Sequence, residues 1–185
     1  MWRYWGFLLL FAWQVESGVQ RELAIETLNS SDTFAAAQIS KAGQAEIADL
    51  LERNSVDWDR SRISQLRVRR VALMPGKKDS LALLSTASVD CGATGNCFFM
   101  MLQQKQNGWR VVLRDTAING FTITKHTHHS LYDLELSSND SAETGNVYVM
   151  AFDGTEYHFS QCFRINETGG TKRTSSIPCP EEGTE

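Results

Sequence analysis

The stretch CGATGNCFFMMLQQKQNGWRVVLRD, Cys91 to Asp115, holds the pattern that decides the fold. Two cysteines precede a solid apolar run, and Asn107-Gly108 separates that run from a second one. Asn-Gly between two such runs is a strong signal for a β-hairpin, because both residues tolerate positive φ. The stretch therefore predicts two antiparallel strands with a cysteine pair at the start of the first.

The cysteine pair of this stretch could be a disulfide clamp, part of a metal site or a redox site. A zinc knuckle needs a second pair at short spacing, whereas Cys162 and Cys179 lie seventeen positions apart. A thioredoxin-like site needs Cys-x-x-Cys between a strand and a helix. Cys91 and Cys97 are separated by five residues that include two glycines, so they can face each other across a short loop. We therefore favour the clamp.

The four cysteines are an even number, which in an exported chain indicates two disulfides with three possible connectivities. We favour the nearest pairing, Cys91 with Cys97 and Cys162 with Cys179, while the other two pairings stay open. Three Asn-x-Ser/Thr sites would carry glycans only in a eukaryotic secretory route. They are Asn29, Asn139 and Asn166.

The first segment, MWRYWGFLLLFAWQVESG, has the layout of a secretory signal peptide. Arg3 precedes the apolar stretch Trp5 to Trp13, which is shorter than the roughly 20 apolar residues that cross a bilayer. We expect a signal peptide over 1–17, a linker over 18–30 and no transmembrane segment after cleavage. An uncleaved interfacial helix is the alternative. The expected location is exported, either periplasmic or extracellular.

Composition restricts the classes of partner. The chain has 185 residues and a formal net charge of −4, without a long basic tract. It therefore lacks the clustered positive charge expected of a nucleic-acid-binding surface. The arginines between Arg60 and Arg70 alternate with other residues, as on a solvated strand edge. We expect one domain, no cofactor, and a protein or cell-envelope component as the partner.

The spacing of apolar residues changes from helical to alternating along the chain. Ser31 or Asp32 is a suitable N-cap for an amphipathic helix over about 32–54, whose narrow, alanine-rich stripe suits contact with a sheet or a partner. From Leu66 onward, alternating runs flank Asn107-Gly108, Asn119-Gly120 and Asp153-Gly154.

These patterns predict an α+β fold: an N-terminal helix followed by one antiparallel β-meander of about seven or eight strands over about 66–163. The single domain would extend over 31–165, and the two disulfides would brace it. The last segment, 166–185, is expected to be a polar tail stapled to the last strand through Cys162 and Cys179.

A histidine-rich turn is the best candidate for chemistry, in the sequence KHTHHSLYDLEL. Strand alternation would point Asp133 and Glu135 outward and pair Asp133 with His126. The possible binding residues are His126, His128, His129, Asp133 and Glu135. Neutral imidazole with a carboxylate can bind zinc or copper, which makes His126, His128 and Asp133 weak metal candidates. The alternative is an ordinary polar sheet face.

Signals of catalysis are weak in this chain. The cysteines are expected to be oxidised, and no Gly-x-Ser-x-Gly elbow occurs. Asp133 and Glu135, two positions apart on one strand, would lie about 7 Å apart with no cleft implied. The acidic stretch Ser137 to Asn146 lacks the spacing of an EF-hand calcium loop. The sequence favours a protein that is not an enzyme.

The half from Leu66 to Phe163 resembles a loosely defined set of small exported bacterial proteins of uncharacterised function. The resemblance is carried by Cys91-Gly92 with Asn96-Cys97, then Gly108-Trp109-Arg110, Tyr132-Asp133-Leu134, and Phe152-Asp153-Gly154 with Tyr157. It implies a periplasmic or secreted β-domain.

The leading functional hypothesis is a non-enzymatic binding module, an envelope accessory protein or an inhibitor-like protein. It would use loops at one end of the sheet, around Asp90 to Asn96 and His126 to Leu131, because a disulfide-braced loop loses less entropy on binding. The alternative is a metal-binding or hydrolytic protein centred on His126, His128, Asp133 and Glu135.

Overall fold

The computed structural model describes residues 26–29, 41–54, 60–85 and 88–180. In these ranges the chain forms one α-helix, ten strands and two 3₁₀ turns, Arg60–Gln65 and Ser88–Asp90. The predicted signal peptide and residues 32–40 of the predicted helix lie outside the described residues. The elements are α1 (Lys41–Asn54), β1 (Glu26–Asn29), β2 (Leu66–Val71), β3 (Ser80–Ser85), β4 (Cys97–Lys105), β5 (Gly108–Ile118), β6 (Gly120–His128), β7 (Leu131–Asn139), β8 (Thr144–Phe152), β9 (Tyr157–Thr168) and β10 (Thr171–Ile177).

The strands form two antiparallel sheets, not one meander. Strands β2, β3, β4 and β5 form the smaller sheet in chain order, and the larger sheet has the order β1-β6-β7-β8-β9-β10. The predicted α+β class, with an N-terminal helix and a single meander, is therefore wrong. The described part of the chain is an all-β-like fold with one short helix.

The error lies at Asn119-Gly120, which does not form the predicted hairpin. Neither residue has a positive φ, so the chain does not reverse there. Ile118 still pairs with Cys97 in the smaller sheet, whereas Gly120 already pairs with Ser137 in the larger one. The Asn119 N–H donates to the Ser137 carbonyl at 2.8 Å. The dipeptide is thus a corner at which the chain passes from one sheet to the other.

The main core lies between the two sheets. Phe99 of β4 and Phe121 of β6 meet across it with their ring centroids 4.9 Å apart. Both are buried, and removing either ring would cost about 3–5 kcal/mol of stability. Other buried residues of the same cluster include Val71, Leu84, Met101, Val112, Leu134, Leu136, Met150, Phe152 and Tyr157.

A second cluster lies on the opposite face of the smaller sheet, where α1 packs. Ile47 and Leu51 of the helix belong to one buried cluster with Leu83 and Met100 of the strands. All six residues of β3 are buried, because this strand is covered on both faces. The helix thus lies against a sheet, one of the two contacts expected for its alanine-rich stripe.

The segment predicted as a polar tail from residue 166 is largely strand. β9 continues to Thr168, the chain turns at Gly169-Gly170 with φ of 59° and 77°, and β10 pairs along the edge of β9. A disulfide joins Cys162 of β9 to Cys179, which follows β10. The predicted staple is therefore present, and it fixes a strand at the sheet edge.

Candidate functional site

The two loops expected to form one binding surface lie at opposite ends of β7. The loop between Asp90 and Asn96 contacts Asn139, the last residue of β7, whereas the turn after His128 leads into Leu131, its first residue. At about 3.4 Å per residue, β7 is roughly 27 Å long. We call these regions the disulfide end and the histidine end. The expected single surface is therefore wrong.

The disulfide end is a short loop closed by the Cys91–Cys97 bond, so both disulfides follow the favoured nearest pairing. Inside the loop, the Gly92 N–H donates to the Asn96 carbonyl at 2.7 Å and the Gly95 N–H donates to the Gly92 carbonyl at 2.9 Å. Gly95 has a φ of 80°, a conformation that favours glycine. Residues 92–95 are all exposed, so the loop presents its tip to solvent.

Asn96 fastens this loop to the larger sheet through paired hydrogen bonds with Asn139. Its Nδ2 donates to the Asn139 carbonyl, and its Oδ1 accepts from the Asn139 N–H, both at 2.8 Å. The Asn139 side chain in turn donates to the Thr94 carbonyl at 3.3 Å. A side chain of the loop thus satisfies both backbone groups of Asn139, which joins the two sheets at this end.

The start of the loop is also fixed. Asp90 has a side chain that is only 7% exposed, and it accepts from Arg62 Nη1 at 2.6 Å and from the Ser85 hydroxyl. Hydrogen bonds to a charged group are stronger than neutral ones. The loop is therefore anchored at both of its ends as well as closed by the disulfide.

The histidine end is built around a strained two-residue turn between β6 and β7. His129 and Ser130 have φ of 45° and 72°, the conformation that a type I′ turn requires. Among residues other than glycine, asparagine, aspartate and histidine adopt it most often, and it costs of order 1–3 kcal/mol per residue. The turn predicted in KHTHHSLYDLEL is therefore present, formed by His129-Ser130 where Asn-Gly is more usual.

His128 and Asp133 form a close pair across this turn. Nδ1 of His128 lies 2.7 Å from Oδ1 of Asp133, whose side chain is only 7% exposed, against 56% for that of His128. With the proton on Nδ1, the imidazole presents the lone pair of Nε2, the form that accepts a proton or binds a metal.

The predicted geometry of this cluster was wrong in two respects. Asp133 is buried, not outward, and its partner is His128, not His126. Opposite Asp133, β6 has an irregularity between Ile123 and Thr127. The alternation of β7 changes at the same place, since Asp133 and Leu134 are both buried.

The remaining predicted residues do not join the pair as one site. Burial raises the pKa of Glu135, and the charge of His126 opposes that shift, so these two side chains act on each other. His129 lies beside the turn at Gly154, where an added Cβ would meet its ring at 3.8 Å. Within the described ranges, no group of three or more His, Cys, Asp or Glu residues could hold a metal ion.

Two features of the histidine end were not predicted from the sequence. The Tyr157 hydroxyl donates to the Tyr132 carbonyl at 2.6 Å, and burial, followed by the Asp133 charge, raises the pKa of this phenol. Arg110 and Gln103 face each other between the sheets, and strand alternation could have indicated them as polar residues at inward positions.

Two general findings bear on location and family. No helix in the described ranges is both long and apolar enough to span a bilayer. The two disulfides are consistent with an oxidising, exported environment. The chain matches no protein-family model, and no curated protein or solved structure matches it significantly.

Proposed function

We propose that this protein is an exported, non-enzymatic binding module that recognises a protein or cell-envelope component with the Cys91–Cys97 loop. The observation that carries the proposal is the paired hydrogen bonding of Asn96 and Asn139, which holds an exposed, disulfide-closed loop on the larger sheet. This architecture presents a short exposed surface in one conformation.

Pre-organisation is the physical reason for choosing this loop. Fixing the backbone of one residue costs about 1–2 kcal/mol, and a flexible loop loses that free energy when it binds. Here the disulfide and the internal hydrogen bonds of Gly92 and Gly95 fix the backbone before binding. Contacts made by residues 92–95 therefore contribute more of their energy to affinity.

The location and the class of partner follow from the same proposal. The expected signal peptide and the two disulfides support a periplasmic or extracellular protein. An envelope accessory protein or an inhibitor of a hydrolase suits a rigid protruding loop, since such a loop can enter a concave site on a partner.

The experiment is affinity capture from the envelope and secreted fractions with the oxidised mature protein. Ala93→Arg places a bulky charge on the loop tip, and Thr155→Arg places the same group on an exposed turn at the histidine end. We expect Ala93→Arg to reduce recovery of the captured partner at least tenfold and Thr155→Arg to leave it unchanged. Equal recovery with both variants would refute the role of the loop.

A second candidate function, metal binding or hydrolysis, rests on the His128–Asp133 pair. A buried carboxylate that orients an exposed imidazole is a common arrangement around metal ligands and general bases. Titration of the oxidised protein with zinc or copper tests it, with His128→Ala as the variant and His126→Ala as the control. Stoichiometric binding lost only in His128→Ala would support this function, and absence of binding would exclude the metal site.

A further inference from the structure

A half-buried cation lies between the two sheets at the histidine end, held by neutral groups. Arg110 of β5 is paired in register with Gln103 of β4, which is only 2% exposed. Arg110 Nη2 donates to Gln103 Oε1 at 3.3 Å, and the guanidinium carbon lies 5.7 Å from the Phe152 ring centroid. The amide and the aromatic face partly stabilise the charge but do not neutralise it.

Two hydrogen-bond donors of this cluster are poorly used. Nε of Arg110 is buried without a hydrogen-bond partner, and Gln103 Nε2 donates only to the Met74 sulfur at 3.8 Å. A thioether is a weak acceptor. Among the residues that the structure describes, no carboxylate forms an ion pair with Arg110. A buried donor left without a partner destabilises the unliganded protein, because it has lost its hydrogen bonds to water.

The charged side chains of this corner also suit an anion. Lys105 lies two positions after Gln103 on β4, so both side chains extend from the same face of the strand. Partial desolvation lowers the pKa of Lys105, the positive charge of Arg110 lowers it further, and the carboxylate of Asp79 opposes both. The positive charges of Lys105 and Arg110 are therefore close enough to interact.

We propose that Gln103, Lys105 and Arg110 form a binding subsite for a carboxylate carried on an apolar group. A guanidinium matches a carboxylate in shape and can donate to it through two parallel N–H groups. The neighbouring side chains of Phe152 and Met74 favour an organic group beside the charge. A small organic acid and the C-terminal carboxylate of a polypeptide share this chemistry.

This subsite is independent of the proposed binding loop. It lies at the histidine end, where the Phe152 ring also packs at 5.4 Å from the Tyr157 ring, and its ligand would be small. Its failure would leave the loop proposal intact, because the two experiments measure different ligands at different ends of β7.

The experiment is an NMR titration of the oxidised protein at constant ionic strength, followed on the backbone amides of Gln103 and Arg110. The probes are butyrate, N-acetyl-leucine, a short peptide with a free C-terminus, N-acetyl-leucinamide and chloride. We expect saturable shifts with the carboxylates and none with the amide or chloride. Tighter binding of the peptide than of butyrate would identify a polypeptide terminus as the source, and the reverse a free acid.

Three variants complete the test. Arg110→Gln should weaken carboxylate binding at least tenfold, and Lys105→Gln, an exposed position that folding tolerates, should weaken it about threefold. Arg114→Gln is the matched control, because Arg114 lies on the same strand and is paired with Glu156 at 2.9 Å; its binding should be unchanged. The proposal is overturned by shifts that do not saturate, by equal shifts with the amide, or by full affinity in Lys105→Gln.

Discussion

The loop at the disulfide end of β7 and the turn at its histidine end are fixed by different interactions. At the disulfide end, a covalent bond and the hydrogen bonds of Asn96 with Asn139 fix a loop whose tip is exposed. At the histidine end, the turn between β6 and β7 has two positive φ angles. The exposed imidazole of His128 contacts the buried carboxylate of Asp133, and the guanidinium of Arg110 has a buried donor without a partner. At the disulfide end the backbone of Asn139 and the carboxylate of Asp90 are hydrogen-bonded, although Oδ1 of the nearby Asn146 has no partner. The histidine end combines two positive φ angles with the unpaired Nε of Arg110.

This difference separates two kinds of binding surface. Satisfied hydrogen bonds and a covalent closure make a loop rigid, which favours recognition of a large partner by shape. Strained backbone and underused donors raise the free energy of the unliganded state, and such features concentrate at sites that bind ligands. This comparison is the basis of our two proposals, a macromolecular partner for the disulfide end and a small carboxylate for the histidine end.

The largest expected effect concerns the two disulfides. In the chain-entropy model, the stabilisation grows with the length of the closed loop, so the pair Cys162→Ala, Cys179→Ala should lower the free energy of unfolding by about 3 kcal/mol. The pair Cys91→Ala, Cys97→Ala should lower it by about 2 kcal/mol. Urea unfolding under non-reducing conditions measures both. A larger loss for the shorter loop would show that it carries stabilisation beyond chain entropy.

The hydrogen bonds of Asn96 give the next effect. Asn96→Ala removes both bonds to the Asn139 backbone, so it should lower the free energy of unfolding by about 1–2 kcal/mol. Asn107→Ala, at an exposed turn residue, is the control and should change it by less than about 0.5 kcal/mol. Equal effects in the two variants would contradict an anchoring role for Asn96.

Backbone strain should give effects of opposite sign at the two ends. Replacing His129-Ser130 by Asn-Gly keeps the turn but places residues that tolerate a positive φ at both positions. The lower strain should raise the free energy of unfolding by about 1 kcal/mol. Gly95→Ala places a Cβ where φ is 80°, and it should lower that free energy by about 1 kcal/mol. Thermal unfolding measures both changes. Loss of stability in the Asn-Gly variant would show that the native turn is not strained.

The smallest expected effect is a pH dependence at Glu135. Burial raises the pKa of this carboxyl in the folded state, so folding favours its protonated form. Its favourable contribution is complete below the unfolded-state pKa and is lost as the pH rises through the folded-state pKa. Glu135→Gln should therefore become increasingly more stable than the wild type between about pH 4 and pH 7. A difference that is largest at acid pH would contradict this sign.

Local patterns located the strands but not their partners. The predicted sheet region, about 66–163, contains the strands β2 to β8 and most of β9. Sheet membership is not local, and Asn119-Gly120 illustrates this, because the same dipeptide that favours a hairpin forms a corner between sheets. β1 and β10 lie in polar segments without an apolar alternation, so their pairing depends on the edges offered by β6 and β9.

In the candidate sites too, local patterns identified residues but not all of their contacts. The cysteine pairing favoured from spacing, with two other pairings left open, is the one that the structure shows. The burial of Asp133 accompanies the irregularity in β6, which has no sequence signature here and shifts the register between Ile123 and Thr127. The pairing of Asn96 with Asn139 joins residues 43 positions apart, so only the packing of the two sheets brings it about.

The central claim, that the Cys91–Cys97 loop is rigid before it binds, is tested most directly by ¹⁵N relaxation of the oxidised protein. Order parameters of residues 92–95 should be close to those of the core strands, about 0.85, and should fall in the Cys91→Ala, Cys97→Ala variant. Values below about 0.6 in the oxidised protein, with rigid core strands, would contradict the account.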